Sequence, residues 1–480
     1  MRMKRKIPLF FFVAFLTTSS FAQLSLQQFL NTPALKHASV GVCVKDLETG
    51  KTLIEHNADK SFTPASTLKL ITTATALEVL GPDYRYATTL ALDADNPSRI
   101  LVLGVGDPTL GTEAFDENRY AFLSDWANAL KISLPQKEAW ELYIVDDLFG
   151  YEGVSPQWTW EDLGNYYAAG AYGISVFDNT YRLYFDTTDR NSCPKILRTD
   201  PTIKGLSFTN YLTLNTSGKD NGYIYGAPFS FERTIRGNIP AGRVGFSIQG
   251  DIPDPGLLLG EKLVEHLQKS GVNIRTVETA RNDYILRVCN PMPQSYRVGE
   301  VVYVHRSRPL SDIIREINVE SNNHYAEHLI RTIGRMKNAN IYSDSLKEGI
   351  DFMNTFWKSK GIPTSSLFMY DGCGLAPQNA VSPVFLCDLL SYMNKKSLYS
   401  KVFFNSLPKA GEEGTLKYFM NKTKYAGKIS AKSGSINGVQ CYAGYLMDGS
   451  KKYVFAVMVN KFSGTNAEIR RAIEKFLLGL

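Results

Sequence analysis

PASTLKLITTATALEVLG, residues 64–81, is the stretch on which the reading of this chain turns. Its Thr-rich apolar run predicts a helix over 66–80, closed by Gly81-Pro82. Ser66 stands three residues before Lys69. On a helix that spacing puts both side chains on one face, so a hydroxyl nucleophile and its base is one reading. The plainer reading is that Ser66 is an N-cap and Lys69 is solvated. Ser-x-x-Lys also occurs at Ser192–Lys195 and Ser406–Lys409, but a proline interrupts each (Pro194, Pro408) and no apolar helical pattern follows. Of the three, Ser66 opens a helix.

The first residues bear on the compartment. Arg2, Lys4, Arg5 and Lys6 precede the apolar run IPLFFFVAFL (7–16), and Ser20-Phe21-Ala22 offers the small residues a signal peptidase accepts. The run is short for a membrane span, and no cysteine near the cleavage point provides a lipid anchor. The expectation is a signal peptide over 1–22 and an exported, periplasmic chain from Gln23, soluble or peripherally associated, with no stable membrane anchor. Losing those four cations takes the formal net charge from +6 to about +2. With no basic run interleaved with aromatics, nucleic acid is not an expected partner. A chain of 480 residues is too long for one ordinary core, which predicts two or three domains. Its six cysteines (43, 193, 289, 373, 387 and 441) show no metal-ligand spacing. Cys43 and Cys441 lie in strand-like apolar runs, as small buried thiols do. No disulfide is assigned.

SVGVCVKD (39–46) alternates as a strand, Glu48-Thr49-Gly50 turns, and KTLIEHN returns. Near the other end KISAKSGS (428–435), VQCYAGYLM (439–447) and KYVFAVMVN (452–460) read as a meander, followed by the amphipathic helix AEIRRAIEKFLLGL (467–480). A sheet built from both chain ends makes the middle an insertion. The expected division is a catalytic unit over 23–83 and 299–480, and an inserted region over 84–298 that forms two smaller domains. The insertion reads as mostly β, from short pieces such as ATTLAL, RILVLGV, YRLYFDT, LSFTNYLTL, VGFSIQG and DYILRVC, with one helix over 255–271. GVGDPT (104–109) is not a dinucleotide loop, because the third glycine is missing and Pro108 stands where a helix would continue. From 309 the helical pattern resumes. PLSDIIREINVE and HYAEHLIRTIGRM read as two helices joined at the polar corner Ser321-Asn322-Asn323.

That corner presents a hydroxyl and a carboxamide together, although a helix stop followed by an Asn N-cap explains it equally well locally. A third element is Lys432-Ser433-Gly434, where alternation projects the lysine from one face of a strand and Gly434 allows a substrate to lie close along the edge. The same tripeptide at 269–271 reads as a helix C-terminus capped by glycine. In order, Ser66-x-x-Lys69, Ser321-x-Asn323 and Lys432-Ser433-Gly434 resemble the three-part signature of penicillin-recognising serine acyltransferases. PASTLKLITTATALEVLG, VESNNHYAEHLIRTIG, GDPTL (106–110), YDGCGLAPQNAVSP (370–383), LPKAGEEGTL (407–416) and AKSGSINGVQCYAGYL (431–446) resemble segments of one branch, the class C low-molecular-mass penicillin-binding proteins. These are D-alanyl-D-alanine carboxypeptidases and endopeptidases. The likeness is firm over 39–85 and 300–480 and loose across the insertion. Where that family usually has threonine, this chain has Ser433, which keeps the hydroxyl with a less fixed rotamer.

The resemblance implies an α/β (α+β) fold of the serine β-lactamase and penicillin-binding-protein type, an antiparallel sheet flanked by helices. It also implies peptidoglycan stem peptides ending in D-Ala-D-Ala as substrate and β-lactam antibiotics as covalent inhibitors. Ser66 is then the nucleophile, Lys69 its base (held neutral by burial and nearby positive charge) and Ser321 a proton relay. Asn323 would hold the substrate amide, Lys432 and Ser433 its carboxylate, and the N–H groups of Ser66 and Ser435 its oxyanion. No metal or organic cofactor is expected. The rival enzyme reading is a zinc peptidase, since His324-Tyr-Ala-Glu327-His328 spells H-x-x-E-H. Without a metal, both histidines are expected at the surface or in a groove. A catalytically silent wall-binding module has no use for both lysines and both hydroxyls.

Overall fold

The computed structural model describes residues 23–290 and 294–480, so the expected signal peptide lies outside the described residues. Both chain ends meet in one antiparallel sheet. Its strands run in the order Ile429–Ile436, Val439–Asp448, Lys451–Asn460, Ser39–Asp46 and Thr52–His56. Alternation along these strands feeds two cores. Val42, Val44, Val457 and Val459 face the closing helix Asn466–Leu478, where Ile469 and Ile473 meet them. Cys43, Ala443, Ala456 and Met458 face the central helices on the other side.

The innermost of those helices, Lys69–Leu80, is buried on nearly every side. Its threonines are compatible with that burial because their hydroxyls find partners. Thr73 and Thr75 donate to the carbonyls of Lys69 and Ile71, and Thr72 reaches the Gly372 carbonyl at 2.6 Å. Leu70, Ile71 and Leu77 are fully buried, a contribution of roughly 1.5–3 kcal/mol each. The helix Leu310–Val319 and the helix Asn323–Lys337 pack beside it, joined at residues 320–322.

Among the described residues the inserted region has its own core and three sheets. One is five-stranded and mixed, with Ile274–Thr279, Trp140–Val145 and Arg99–Leu103 parallel to one another and Ala87–Asp93 antiparallel to its two neighbours, Arg99–Leu103 and Val298–Arg306. Pairing with inserted strands therefore continues through Arg306. The second is built on Glu232–Pro240, and the third is Val244–Asp251, Thr180–Asp186 and Lys195–Asp200. The helix expected over 255–271 is present as Pro255–Lys269, with Gly271 at φ +89° beyond it. Two helices correct the strand-rich reading. DYILRVC lies in the helix Arg281–Cys289, whose Ile285, Leu286 and Val288 are exposed, and Ala121–Ser133 is a helix with Phe122, Leu123, Trp126 and Leu130 buried.

Candidate active site

Ser66 is not an N-cap. It lies in a 3-10 turn, Ala65–Leu68, that leads into the helix beginning at Lys69. In a 3-10 turn residues i and i+3 eclipse, which stacks Lys69 over Ser66 more closely than an α-turn does. Lys69 Nζ lies 2.9 Å from Ser66 Oγ, 2.6 Å from Asn323 Oδ1 and 2.7 Å from the Cys373 carbonyl. Lys69 is fully buried and Ser66 half-buried, so the hydroxyl faces the cleft and the amine stands behind it. The solvated lysine of the plainer reading is excluded.

The turn is clamped from both sides. A Cβ on Gly434 would lie 2.4 Å from the Pro64 carbonyl and 3.0 Å from the Ser66 nitrogen; one on Gly374 would lie 1.9 Å from the Ala65 carbonyl. Gly434 thus admits the backbone of the nucleophile turn, where the sequence suggested a substrate. Ala65 at φ +46° and Ser321 at φ +64° hold left-handed backbone, a cost of roughly 1–3 kcal/mol each that surrounding contacts must offset. At the corner Asn322 is the N-cap, accepting the Tyr325 N–H at 3.1 Å. Asn323 is thereby free for other work. Its Oδ1 accepts from Lys69 and its Nδ2 donates to the Tyr167 carbonyl of the inserted region at 2.7 Å.

Lys432 is fully buried and donates to Ser321 Oγ and the Ser433 carbonyl, both at 3.0 Å. Two hydroxyl–amine pairs, Ser66–Lys69 and Ser321–Lys432, therefore stand side by side. Burial pushes the Lys69 amine below its usual range, against the opposing pull of Cys373, Asp371 and Glu327. Lys432 is driven well down, first by burial and then by the charge of Lys69. The positive-charge effect expected at Lys69 thus falls on Lys432. Both shifts favour the neutral amine a base requires.

A cleft of about 670 Å³ opens onto Ser66, Ser321 and Asn323, with Ser435, Ile436 and Asn437 along the strand edge. Ser435 Oγ accepts from Asn466 Nδ2 at 2.9 Å. Lys432 and Ser433 lie behind that edge, Ser433 partly exposed. Glu161, Asp162, Asp178, Glu316 and Glu320 also line the cleft. Its two arginines, Arg119 and Arg182, are bound to Glu113 and Asp200. Burial raises the Glu316 carboxyl to about 7 and shifts Asp178 in the same direction. Of the rejected pairs, Ser406 Oγ is buried and engaged by Asn318 Nδ2 and the Phe403 carbonyl.

H-x-x-E-H does not converge. Both histidines are buried: His324 lines the edge of the cleft, as the groove reading expected, whereas His328 lies wholly inside, contrary to it. His328 spans from the Gly106 carbonyl (Nδ1, 2.8 Å) to Ser175 Oγ (Nε2, 2.8 Å), both in the inserted region, while Glu327 turns to Gly372, Asp371 and Cys373. Burial pushes His324 down to about 3 and His328 well below its ordinary value. Both rings are neutral packing groups, and His328 alone is hydrogen-bonded through both nitrogens. Sequence reasoning missed the carbonyls of Cys373 and Tyr167, which carry no side-chain signature. It did mark the neighbourhood of Cys373, through YDGCGLAPQNAVSP, and GDPTL holds the Gly106 that bonds His328, but nothing pointed to Tyr167.

Comparison with known proteins agrees with this geometry. Residues 22–478 match the D-Ala-D-Ala carboxypeptidase 3 (S13) family. A D-alanyl-D-alanine carboxypeptidase from an Actinomadura species is 27% identical over 451 residues, covering 91% of this chain and 80% of the relative. A penicillin-sensitive carboxypeptidase A of Dictyostelium discoideum is 26% identical over 475 residues, covering 88% and 82%. The crystal structure of penicillin binding protein 4 from Haemophilus influenzae superposes with a TM-score of 0.77 at 19% identity, over 95% of this chain and 97% of that one, and shares the fold. The chain belongs to the D-Ala-D-Ala carboxypeptidase 3 (S13) family and is a serine-type carboxypeptidase.

Proposed function

We propose that this carboxypeptidase acts through an acyl-enzyme on Ser66, on peptidoglycan stem peptides ending in D-Ala-D-Ala and on the cross-links between them. The observation that carries the reading is a fully buried lysine amine 2.9 Å from a cleft-facing serine hydroxyl. Ser66 Oγ attacks the carbonyl of the penultimate D-Ala while Lys69 takes its proton. The backbone N–H groups of Ser66 and Ser435 receive the oxyanion. As the amide C–N bond breaks, Ser321 passes a proton, drawn from the Lys69–Lys432 pair, to the departing amine. Water then cleaves the ester, returning free Ser66 and a shortened peptide. Carboxypeptidase and endopeptidase action differ here only in whether the departing amine is a terminal D-Ala or the side chain of a neighbouring stem.

Ser433, with Lys432 behind it, recognises the substrate carboxylate. A β-lactam enters by the same attack, its lactam bond opening to leave the acyl group on Ser66. The names of the Dictyostelium and Haemophilus proteins support this inhibition. The basic and apolar start of the chain supports export with cleavage before Gln23. The exported fraction is expected to yield a chain that begins at Gln23 and takes up labelled penicillin on the peptide containing Ser66. On purified peptidoglycan it should release D-alanine and split cross-linked dimers, and Ser66→Ala should do none of these. Label on another serine, or label retained in Ser66→Ala, would overturn the assignment.

A further inference from the structure

Glu327 takes no part in the acyl transfer described above, yet it is fully buried one helical turn beyond Asn323. Its Oε1 accepts the Gly372 N–H at 2.6 Å, while Oε2 is buried outside hydrogen-bond geometry. Ligand atoms of Glu327, Asp371 and Cys373 lie within 4.8 Å of one another. The Asp371 carboxylate accepts four N–H bonds, from Gly374, Ala376, Asn379 and the Trp158 indole, at 2.6–2.9 Å. Two acids thus gather the N–H groups of the 371–376 loop.

The carbonyls of the same loop serve the nucleophile helix. Gly372 O accepts from Thr72 Oγ1 at 2.6 Å, and Cys373 O accepts from Lys69 Nζ at 2.7 Å. There is little slack in this stack. A Cβ on Gly372 would lie 2.8 Å from the Ala326 carbonyl, and one on Gly374 1.9 Å from the Ala65 carbonyl. A shift of the loop would carry the Lys69 amine away from Ser66.

We propose that Glu327 is the positioning residue of the general base: through the Gly372 N–H it fixes the carbonyl that holds Lys69 against Ser66, and its charge is felt at Lys69. This rests on the acyl-enzyme reading above. The groups facing Glu327 are Asp371 and Cys373 from the loop, Lys69 from the nucleophile helix and Arg331 from its own helix. Burial, then Asp371, raises the Glu327 carboxyl to about 7, so it gains negative charge as pH passes neutrality. A carboxylate there favours the ammonium form of Lys69, which raises the pH at which Lys69 can accept a proton. Removing that charge lowers it.

The test is the pH dependence of acylation by a fluorescent penicillin in wild type, Glu327→Gln and Glu327→Ala, with the melting temperature of each. Glu327→Gln keeps an acceptor for Gly372, so it should retain most of the rate and move the ascending limb of the profile to lower pH by about one unit. Glu327→Ala should lose about ten- to a hundredfold at every pH. A Gln profile that superimposes on wild type overturns the proposal, and so does wild-type acylation by the Ala variant. Equal losses in both variants that follow the melting temperature would reduce Glu327 to a packing role and overturn it too. Wild-type protein that takes up no penicillin at any pH would instead sink the Ser66 reading, and this proposal with it.

Discussion

Asn323 and Glu327 face the nucleophile, His324 and His328 face the inserted region, and all four come from the first turns of one helix. Each pair is spaced i, i+4, so each shares a face, and the pairs are offset by one residue, about 100° around the helix. On one flank the polar groups engage a lysine amine and the loop that holds it. On the other both imidazoles are neutral; His328 is bound to a backbone carbonyl and a serine, and His324 is buried with neither ring nitrogen in hydrogen-bond geometry. The same burial that adjusts charge on the first flank abolishes it on the second. Residues that spell a zinc motif in the sequence are thus divided between the loop beside Lys69 and the inserted region.

That division can be broken by substitution. Asn323→Ala removes one of the three acceptors around Lys69, and its effect should fall on kcat. A hydrogen bond to a charged or ionisable group contributes roughly 1.5–3 kcal/mol, so the expected loss is about ten- to a hundredfold per folded molecule, with a modest fall in melting temperature because the Tyr167 carbonyl also loses its donor. Normal turnover in Asn323→Ala would erase the catalytic flank. The strand edge sharpens the comparison, since Ser433→Ala deletes a hydroxyl and leaves the Lys432 charge in place. Wild type should prefer a D-Ala-D-Ala peptide acid over its C-terminal amide, and the variant should lose most of that preference, up to about tenfold in kcat/KM. Undiminished discrimination would remove Ser433 from carboxylate recognition.

On the insertion flank the expected effect on turnover is smallest. His328→Ala leaves the Gly106 carbonyl unpaired and the Ser175 hydroxyl with only its bond from Asn179, which should cost about 2–4 kcal/mol of stability with kcat per folded molecule unchanged. A fall in kcat without a fall in melting temperature would contradict the division. Acid sensitivity separates the flanks further. Folded His324 titrates near 3 against an ordinary value of 6.5, so between these values the unfolded chain binds the extra proton and stability falls as pH drops. Glu327, raised from 4.5 to about 7, acts with opposite sign: the fold binds the extra proton, and its contribution to stability is lost as pH rises through 7. Denaturant unfolding of His324→Gln between pH 6.5 and 4 should therefore show a shallower loss than wild type, by at most about 1.4 kcal/mol per unit. An unchanged slope would mean that His324 is not held neutral.

Much of the catalytic half was legible in the sequence. The meander, the strands from both chain ends and the helix after Ser66 follow from alternation and helical spacing, because each is half-buried or bounded by glycine. The inserted region was read less well. Ile285, Leu286 and Val288 suggested a strand, yet they lie on a helix with those side chains exposed. The spacing of Phe122, Leu123, Trp126 and Leu130 did carry the signal of the helix they form, although it sits among short strands.

Order and residue type were enough to pick Ser66, Lys69, Ser321, Asn323 and Lys432 as a set, since only side chains that bear chemistry leave such a trace. What the set does depends on matters that sequence does not encode locally. Complete burial of two amines, and hence their tendency to be neutral, requires loops from distant parts of the chain. The acceptors at Cys373 and Tyr167 are backbone carbonyls, common to every residue and selected only by where the fold brings them. The sequence named the candidate groups. Tertiary structure decided their charge and direction, because burial and orientation depend on every element packed around them.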